Sequence, residues 1–162
     1  MIHGQYRFFP GTKREIIVPN LITDEGEKSF LKMIMQADVI DVSAGGNFFL
    51  GLCEETPGET DTLATITTEP TSAGGYARQS FARNTTGVPT VELINDAHRA
   101  VSLLLMFAAS GANFSRSIQR AFLTNVLSGT AGLLFSYSGL LPNPITIQDG
   151  SNIQVNYELF LR

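Results

Sequence analysis

Histidine and cysteine, the side chains that most often act as bases, metal ligands and nucleophiles, are scarce in this sequence. The two histidines, His3 and His98, stand in no metalloprotease or nucleophile motif, so we interpret both as solvated or simply hydrogen-bonded side chains. The only cysteine, Cys53, ends an apolar run, which favours a small buried side chain over a reactive thiol. A nucleophilic Cys53–His98 pair is the alternative, but it requires an exposed cysteine in an electropositive setting. The sequence therefore predicts that the protein is not an enzyme.

Carboxylates cluster in one predicted loop, at Glu54, Glu55, Glu59 and Asp61. Such a cluster can attract a divalent cation, and calcium binding by the 54–61 loop is an open alternative. The spacing is not that of an EF-hand, however, and loop charges are ordinarily solvated. We therefore predict no metal and no cofactor.

Composition excludes several classes of partner. The chain has 162 residues with 43% hydrophobic and 16% charged side chains, which is typical of one globular domain. Its formal net charge of −4 and its eleven scattered basic residues argue against a nucleic-acid partner. No apolar run is long enough to span a bilayer, and no signal peptide opens the sequence, so we expect a soluble chain with no membrane partner.

The elements that must position these residues are mostly strands. Short β-prone runs punctuated by Gly, Pro, Asn and Asp follow one another from Phe48 onward. The last of them, 152–161, alternates apolar and polar residues, and we expect it to pair with the segment 133–140. The apolar run 101–108 is interpreted as one strand covered on both faces. These patterns predict a mainly β fold, an antiparallel β-sandwich of jelly-roll type.

The N-terminal part of the chain has a different pattern. Residues 1–20 mix aromatic and basic side chains with Pro10 and Pro19 and keep no sustained period, so we predict an extended N-terminal arm. Helical spacing follows, with Asp24 as the predicted N-cap of one helix at about residues 24–37. The predicted organisation is thus an arm over 1–20 and a single β-sandwich domain over 21–162 that includes the helix.

The segment Gly74-Gly75-Tyr76-Ala77-Arg78-Gln79 is the most distinctive motif of the chain, a glycine turn that enters a strand-like stretch. With it, the chain resembles a family of small tailed-bacteriophage virion structural proteins, often labelled tail-fibre proteins. The resemblance covers residues 21–162. Its other motifs are Thr23-Asp24-Glu25-Gly26-Glu27, Phe49-Leu50-Gly51-Leu52, Thr56-Pro57-Gly58, and a closing series of strands and turns from Gly132 to Arg162.

This resemblance implies a non-enzymatic protein of the virion, made in the cytoplasm of the host bacterium. The expected role is a capsid decoration or cement protein on the outer surface of the head, with the major capsid protein as its partner. A tail-associated role, with baseplate or fibre proteins as partners, is the alternative, and a carbohydrate-binding surface module is a third. We expect a homo-oligomer and favour a trimer slightly over a dimer.

Partner contacts are expected mainly in the predicted arm. Aromatic side chains there are expected to anchor the contact, and basic side chains to surround it. A further basic residue, in the glycine motif, is expected to face a neighbouring subunit. The predicted contact residues are Tyr6, Phe8 and Phe9 as anchors, Arg7, Lys13 and Arg14 at the rim, and Arg78.

Overall fold

The computed structural model describes residues 2–11, 14–36 and 46–161. It confirms the mainly β prediction, since an antiparallel sheet of ten strands accompanies one α-helix in this part of the chain. The helix α1 spans Asp24–Met35. The strands are β1 (Ile2–Phe9), β2 (Ile16–Ile22), β3 (Asn47–Cys53), β4 (Gln79–Ala82), β5 (Thr90–Ile94), β6 (Ala97–Val101), β7 (Leu105–Ala108), β8 (Arg120–Thr124), β9 (Leu134–Ser138) and β10 (Asn152–Leu161).

The strands form one curled sheet in the order β4-β3-β8-β9-β2-β1-β10-β6-β5, and β7 also pairs with β10. Strand β2 joins the two halves, because residues 16–19 pair with β1 whereas residues 20–22 pair with β9. The sheet closes into a half-barrel in which β4 lies against β7. Its concave side holds the main hydrophobic core.

Strand β1 lies in the middle of this sheet, paired with β10 on one side and β2 on the other. The prediction of an extended arm over residues 1–20 is therefore not confirmed. The side chains of β1 alternate between the two faces of the sheet. Tyr6 and Phe8 therefore lie in the core, and Arg7 and Phe9 lie on the convex face. Two of the three aromatic residues expected to reach a partner, Tyr6 and Phe8, therefore lie in the core instead.

The N-cap of helix α1 lies one residue before the predicted one. Thr23, rather than Asp24, caps it, because the Thr23 hydroxyl accepts a hydrogen bond from the Gly26 amide at 3.1 Å. Gly26 lets the helix approach β9 closely, since a Cβ there would lie 2.2 Å from the Phe135 carbonyl oxygen. The predicted end of the helix, residue 37, lies outside the described residues.

Two strand predictions were wrong, one in the partner of the last strand and one in the extent of the run 101–108. Strand β10 has the predicted alternation, but it pairs with β1, β6 and β7, whereas β9 pairs with β8 and β2. The run 101–108 is not one strand, because β6 ends at Val101 and β7 starts at Leu105. Met106 of β7 is exposed, so the run is not covered on both faces. A continuous apolar run does not show where a strand breaks or which strand covers it.

Candidate functional site

The predicted contact residues fall into three environments. Tyr6, Phe8 and Arg78 are buried in the fold. Arg7 and Phe9 lie half-buried on the convex face of β1. Arg14 is exposed between β1 and β2. Lys13 lies outside the described residues.

A charged network covers the convex face around Glu158, whose side chain is almost completely buried. Arg7 Nε lies 2.6 Å from Glu158 Oε1 in a geometry that makes an ion pair but not a hydrogen bond. Gln5 Nε2 donates to Glu158 Oε2 at 2.6 Å, and Arg99 Nη1 lies 3.6 Å from Oε1. A buried carboxylate between two guanidinium groups is neutralised within the sheet.

The network continues to the segment before β2 on one side and to β5, at the end of the sheet, on the other. Arg7 Nη1 donates to Glu15 at 2.9 Å, and Arg99 pairs with Glu92 on β5. Burial tends to lower the pKa of Arg7, but the carboxylates of Glu15 and Glu158 outweigh it and raise that pKa. These charges satisfy one another across β1, β10, β6 and β5 and the segment before β2, so the network links four strands.

Arg78 makes a second, separate network on the glycine motif. Its guanidinium holds Glu69 through two bonds, Nε to Oε1 at 2.8 Å and Nη2 to Oε2 at 2.7 Å. It also donates to the carbonyl oxygens of Val126 at 3.1 Å and Gly129 at 3.0 Å, and it lies over the ring of Phe122. Arg78 therefore fastens three separate chain segments to each other, and we call this set the Arg78 clamp.

Tyr76 completes the Arg78 clamp from the core side. Its hydroxyl donates to Glu69 at 2.7 Å and accepts from the Leu52 amide at 2.9 Å. Burial, and then the charge of Glu69, raise the pKa of Tyr76 well above its ordinary value. The phenol therefore stays protonated and serves as a hydrogen-bond donor inside the fold.

The glycine pair sets the direction of the chain as it enters this clamp. Gly74 and Gly75 both have positive φ, at 71° and 76°, which supports the predicted strand-entry turn. A Cβ at Gly74 would lie 2.6 Å from the Ala112 carbonyl oxygen, whereas one at Gly75 would meet open space. Gly74 is thus required by packing as well as by conformation.

Residues with catalytic chemistry are dispersed. His3 stacks on Phe160 with ring centroids 5.1 Å apart, and His98 is exposed on β6 rather than in a turn. Cys53 is buried as predicted, and burial raises the pKa of its thiol. His98 and Cys53 belong to strands in opposite halves of the sheet, so the alternative nucleophilic pair has no structural support.

The acidic loop uses its carboxylates to hold its own backbone. Glu55 accepts from the amides of Thr67 at 2.6 Å and Thr68 at 3.1 Å, and Asp61 accepts from the Gly58 amide. Within residues 2–11, 14–36 and 46–161, no group of three or more His, Cys, Asp or Glu side chains is placed to hold a metal ion.

The surface feature that the sequence did not reveal is an apolar row at one end of the sheet. Ile2, Leu161, His98 and Leu93 are neighbours in register across β1, β10, β6 and β5, and Val91 stands next to Leu93 on the same face of β5. The exposed fractions are 37% for Ile2, 56% for Leu161, 66% for Leu93 and 70% for Val91. These aliphatic side chains form two adjacent pairs, Ile2 with Leu161 and Val91 with Leu93, on either side of exposed His98, and clustered exposed apolar side chains are typical of an interaction surface.

No protein-family model matches the sequence, and no curated protein matches it. In the described part of the chain, no helix combines the length and apolar character needed to cross a membrane.

Proposed function

We propose that the protein is a non-enzymatic structural subunit of a tailed-bacteriophage virion. In this role it binds the outer surface of the head as a decoration or cement protein and fastens neighbouring capsomers. The resemblance of residues 21–162 to small virion proteins supports this proposal. The structural observation that carries it is the apolar row of Ile2, Leu161, Leu93 and Val91, because a surface of this kind suits a protein that works by assembling with other chains.

The finer description of the fold belongs to the same proposal. The strands β1, β10, β6, β5 and β7 would act as one layer and β9, β8, β3 and β4 as the other, with β2 crossing between them. Sheets joined by a strand that bends from one layer to the other are a known form of β-sandwich. The convex face of the first layer would then be the face turned towards the shell.

Among the predicted contact residues, we propose that Arg14, Phe9 and Arg7 form the contact with the shell. Arg14 is exposed, and Phe9 and Arg7 are accessible in part on the convex face. Arginine and aromatic residues are both enriched at binding interfaces. Tyr6 and Phe8 lie in the core on the opposite face of β1, whereas Arg78 belongs to the Arg78 clamp in the other half of the sheet.

Co-sedimentation with shells tests the proposal. The purified chain should pellet with expanded shells assembled from the phage's major capsid protein, and binding should saturate at a fixed number of copies per capsomer. Arg14→Glu should weaken binding, whereas Arg116→Glu, which changes an exposed arginine elsewhere on the surface, should not. Pelleting with purified tails but not with shells would favour the tail-associated role, and pelleting with neither would overturn the proposal.

A further inference from the structure

Strand β5 ends the sheet, and within the described residues only β6 pairs with it. We call its side away from β6 the β5 edge. The opposite end of the sheet is different, because β4 lies against β7. Natural proteins usually protect an edge strand with charged side chains, especially lysine, or with proline, a bulge or a covering element. Glu92 is the one charged residue of β5, and it pairs with Arg99 of β6. Residues 90–94 contain no proline or lysine and keep a regular register with β6.

The register identifies which backbone groups point outward at the β5 edge. The turn Asn95-Asp96 has positive φ at both residues and closes on the pair Ile94 and Ala97, which is the hydrogen-bonded pair of a two-residue hairpin. Hydrogen-bonded pairs alternate along an antiparallel ladder. The amide and carbonyl groups of Val91 and Leu93 therefore point away from β6.

A bond on the other side of β6 supports this assignment. The Ser102 amide donates to the Tyr157 carbonyl oxygen of β10 at 2.9 Å. The backbone amide and carbonyl groups of even-numbered residues of β6 therefore point towards β10, and those of odd-numbered residues point towards β5. The outward backbone groups of β5 thus belong to Val91 and Leu93, the residues whose side chains are also the most exposed of the apolar row.

We propose that the β5 edge binds the β5 edge of a second copy of this chain, antiparallel and around a two-fold axis at Glu92. This inference rests on the homo-oligomer expected under the proposed function. In this register Val91 of each copy faces Leu93 of the other, so all the outward amide and carbonyl groups of these two residues are paired. The same four side chains form one apolar cluster, which an isologous interface requires.

The charges at the axis set the strength of this contact. The two Glu92 side chains stand opposite each other on the convex face, which is unfavourable by itself. Each, however, already pairs with Arg99 of its own chain. The residual repulsion predicts that removing the charge at Glu92 strengthens the interface.

The size of the contact predicts a weak dimer. Each of the four side chains that meet offers roughly 100 Å² of apolar surface. The interface therefore falls below the roughly 1,200 Å² at which standard stable complexes begin. We expect dissociation in the micromolar to millimolar range in solution, with multivalent attachment raising the effective strength on a particle.

Sedimentation equilibrium of the full chain over a wide concentration range tests this inference. We expect a reversible monomer–dimer equilibrium that Val91→Lys weakens at least about tenfold, because a charged side chain protects an edge. Glu92→Gln should tighten it about two- to five-fold. Met106→Lys, which changes an exposed apolar residue of β7, should leave it unchanged. Circular dichroism should show that all three variants fold.

Amide hydrogen exchange identifies the occupant of the β5 edge. Protection of the Val91 and Leu93 amides should rise with protein concentration in step with dimerisation. A chain that is monomeric throughout, a trimer, or a dimer insensitive to Val91→Lys would overturn the inference. If these amides are protected only on shells, the occupant is a strand of another virion protein and the second-copy inference is wrong. These measurements need no particles, so their failure is distinguishable from failure of shell binding.

Discussion

Replacing Arg78 with methionine should destabilise the fold rather than remove a contact with another chain. The substitution keeps most of the apolar stem over Phe122 but removes the guanidinium from Glu69 and from two carbonyl oxygens. Breaking a buried ion pair by removing one partner costs about 3–5 kcal/mol. Glu69 is partly exposed, so water can solvate its freed carboxylate, and we expect a loss of about 3 kcal/mol.

Thermal and urea unfolding measure this loss. For a chain of this size, about 3 kcal/mol lowers Tm by roughly 6–12 °C. Arg116→Met is the matched control, since Arg116 and Glu54 are both exposed and 3.6 Å apart, and it should change stability by less than about 0.5 kcal/mol. The double variant Arg78→Met with Glu69→Met should lose less than the sum of the two single variants, because it leaves no unpaired charge.

One outcome would contradict the structural role of Arg78. If Arg78→Met unfolds at the same temperature as the parent chain but no longer binds shells, Arg78 contacts a partner and the Arg78 clamp does not stabilise the fold. Loss of shell binding together with a lower Tm does not separate the two roles, so binding is compared at a temperature where circular dichroism shows the variant folded.

Other consequences of the structure are open to direct measurement. Gly74→Ala should lower the free energy of unfolding by more than about 2 kcal/mol, because the added methyl group would collide with the Ala112 carbonyl oxygen. Gly75→Ala, which meets open space, should lower it by about 1 kcal/mol. Equal effects of the two variants in urea titrations would contradict the packing at Gly74. Burial raises the pKa of all four tyrosines and brings that of Tyr157 to about 12. Stability should therefore hold below pH 10 and fall by about 2 kcal/mol for Tyr157 alone as pH rises to 12. Tyrosinate absorbance should therefore appear together with unfolding, and ionisation near pH 10 in a folded chain would argue against the buried phenols. Phe8→Ala should cost about 3–5 kcal/mol, as expected of a core residue and not of an arm; a stability change below about 1 kcal/mol would show that β1 is not part of the core.

Local sequence patterns were sufficient to predict the elements whose burial follows from the spacing of their own side chains. The capping and helical spacing after Thr23 predict α1, and strict alternation predicts β10. Burial of Cys53 follows from its apolar neighbours. In each of these cases the determining residues are adjacent or one turn apart, so the sequence contains the whole signal.

Strand β1 shows why the rest was not predictable. Gln5 and Arg7 alternate with Tyr6 and Phe8 in the sequence, but Glu158, the partner of both polar residues, lies 153 positions from Gln5. Pro10 and the aromatic side chains on both faces of β1 make the sequence of this strand similar to that of an irregular segment. Only the pairing with β10 shows that Arg7 is neutralised and that Tyr6 is enclosed.

Strand order is also what creates the candidate surfaces. Val91 and Leu93 were recognisable as strand residues, but their exposure follows from the position of β5 at the end of the sheet. The contacts of Arg78 with Val126 and Gly129 depend in the same way on loops that meet only in the folded chain. Neither feature has a local signature in the sequence.

The most direct test of the virion role is the copy number of this chain in purified phage particles, measured by quantitative mass spectrometry against the major capsid protein. A decoration or cement protein should be present in a fixed ratio to the capsomers and should stay with the head when tails are removed. A handful of copies that separate with the tail would assign the chain to the tail. Its absence from purified particles would contradict the account that it is a structural subunit of the virion.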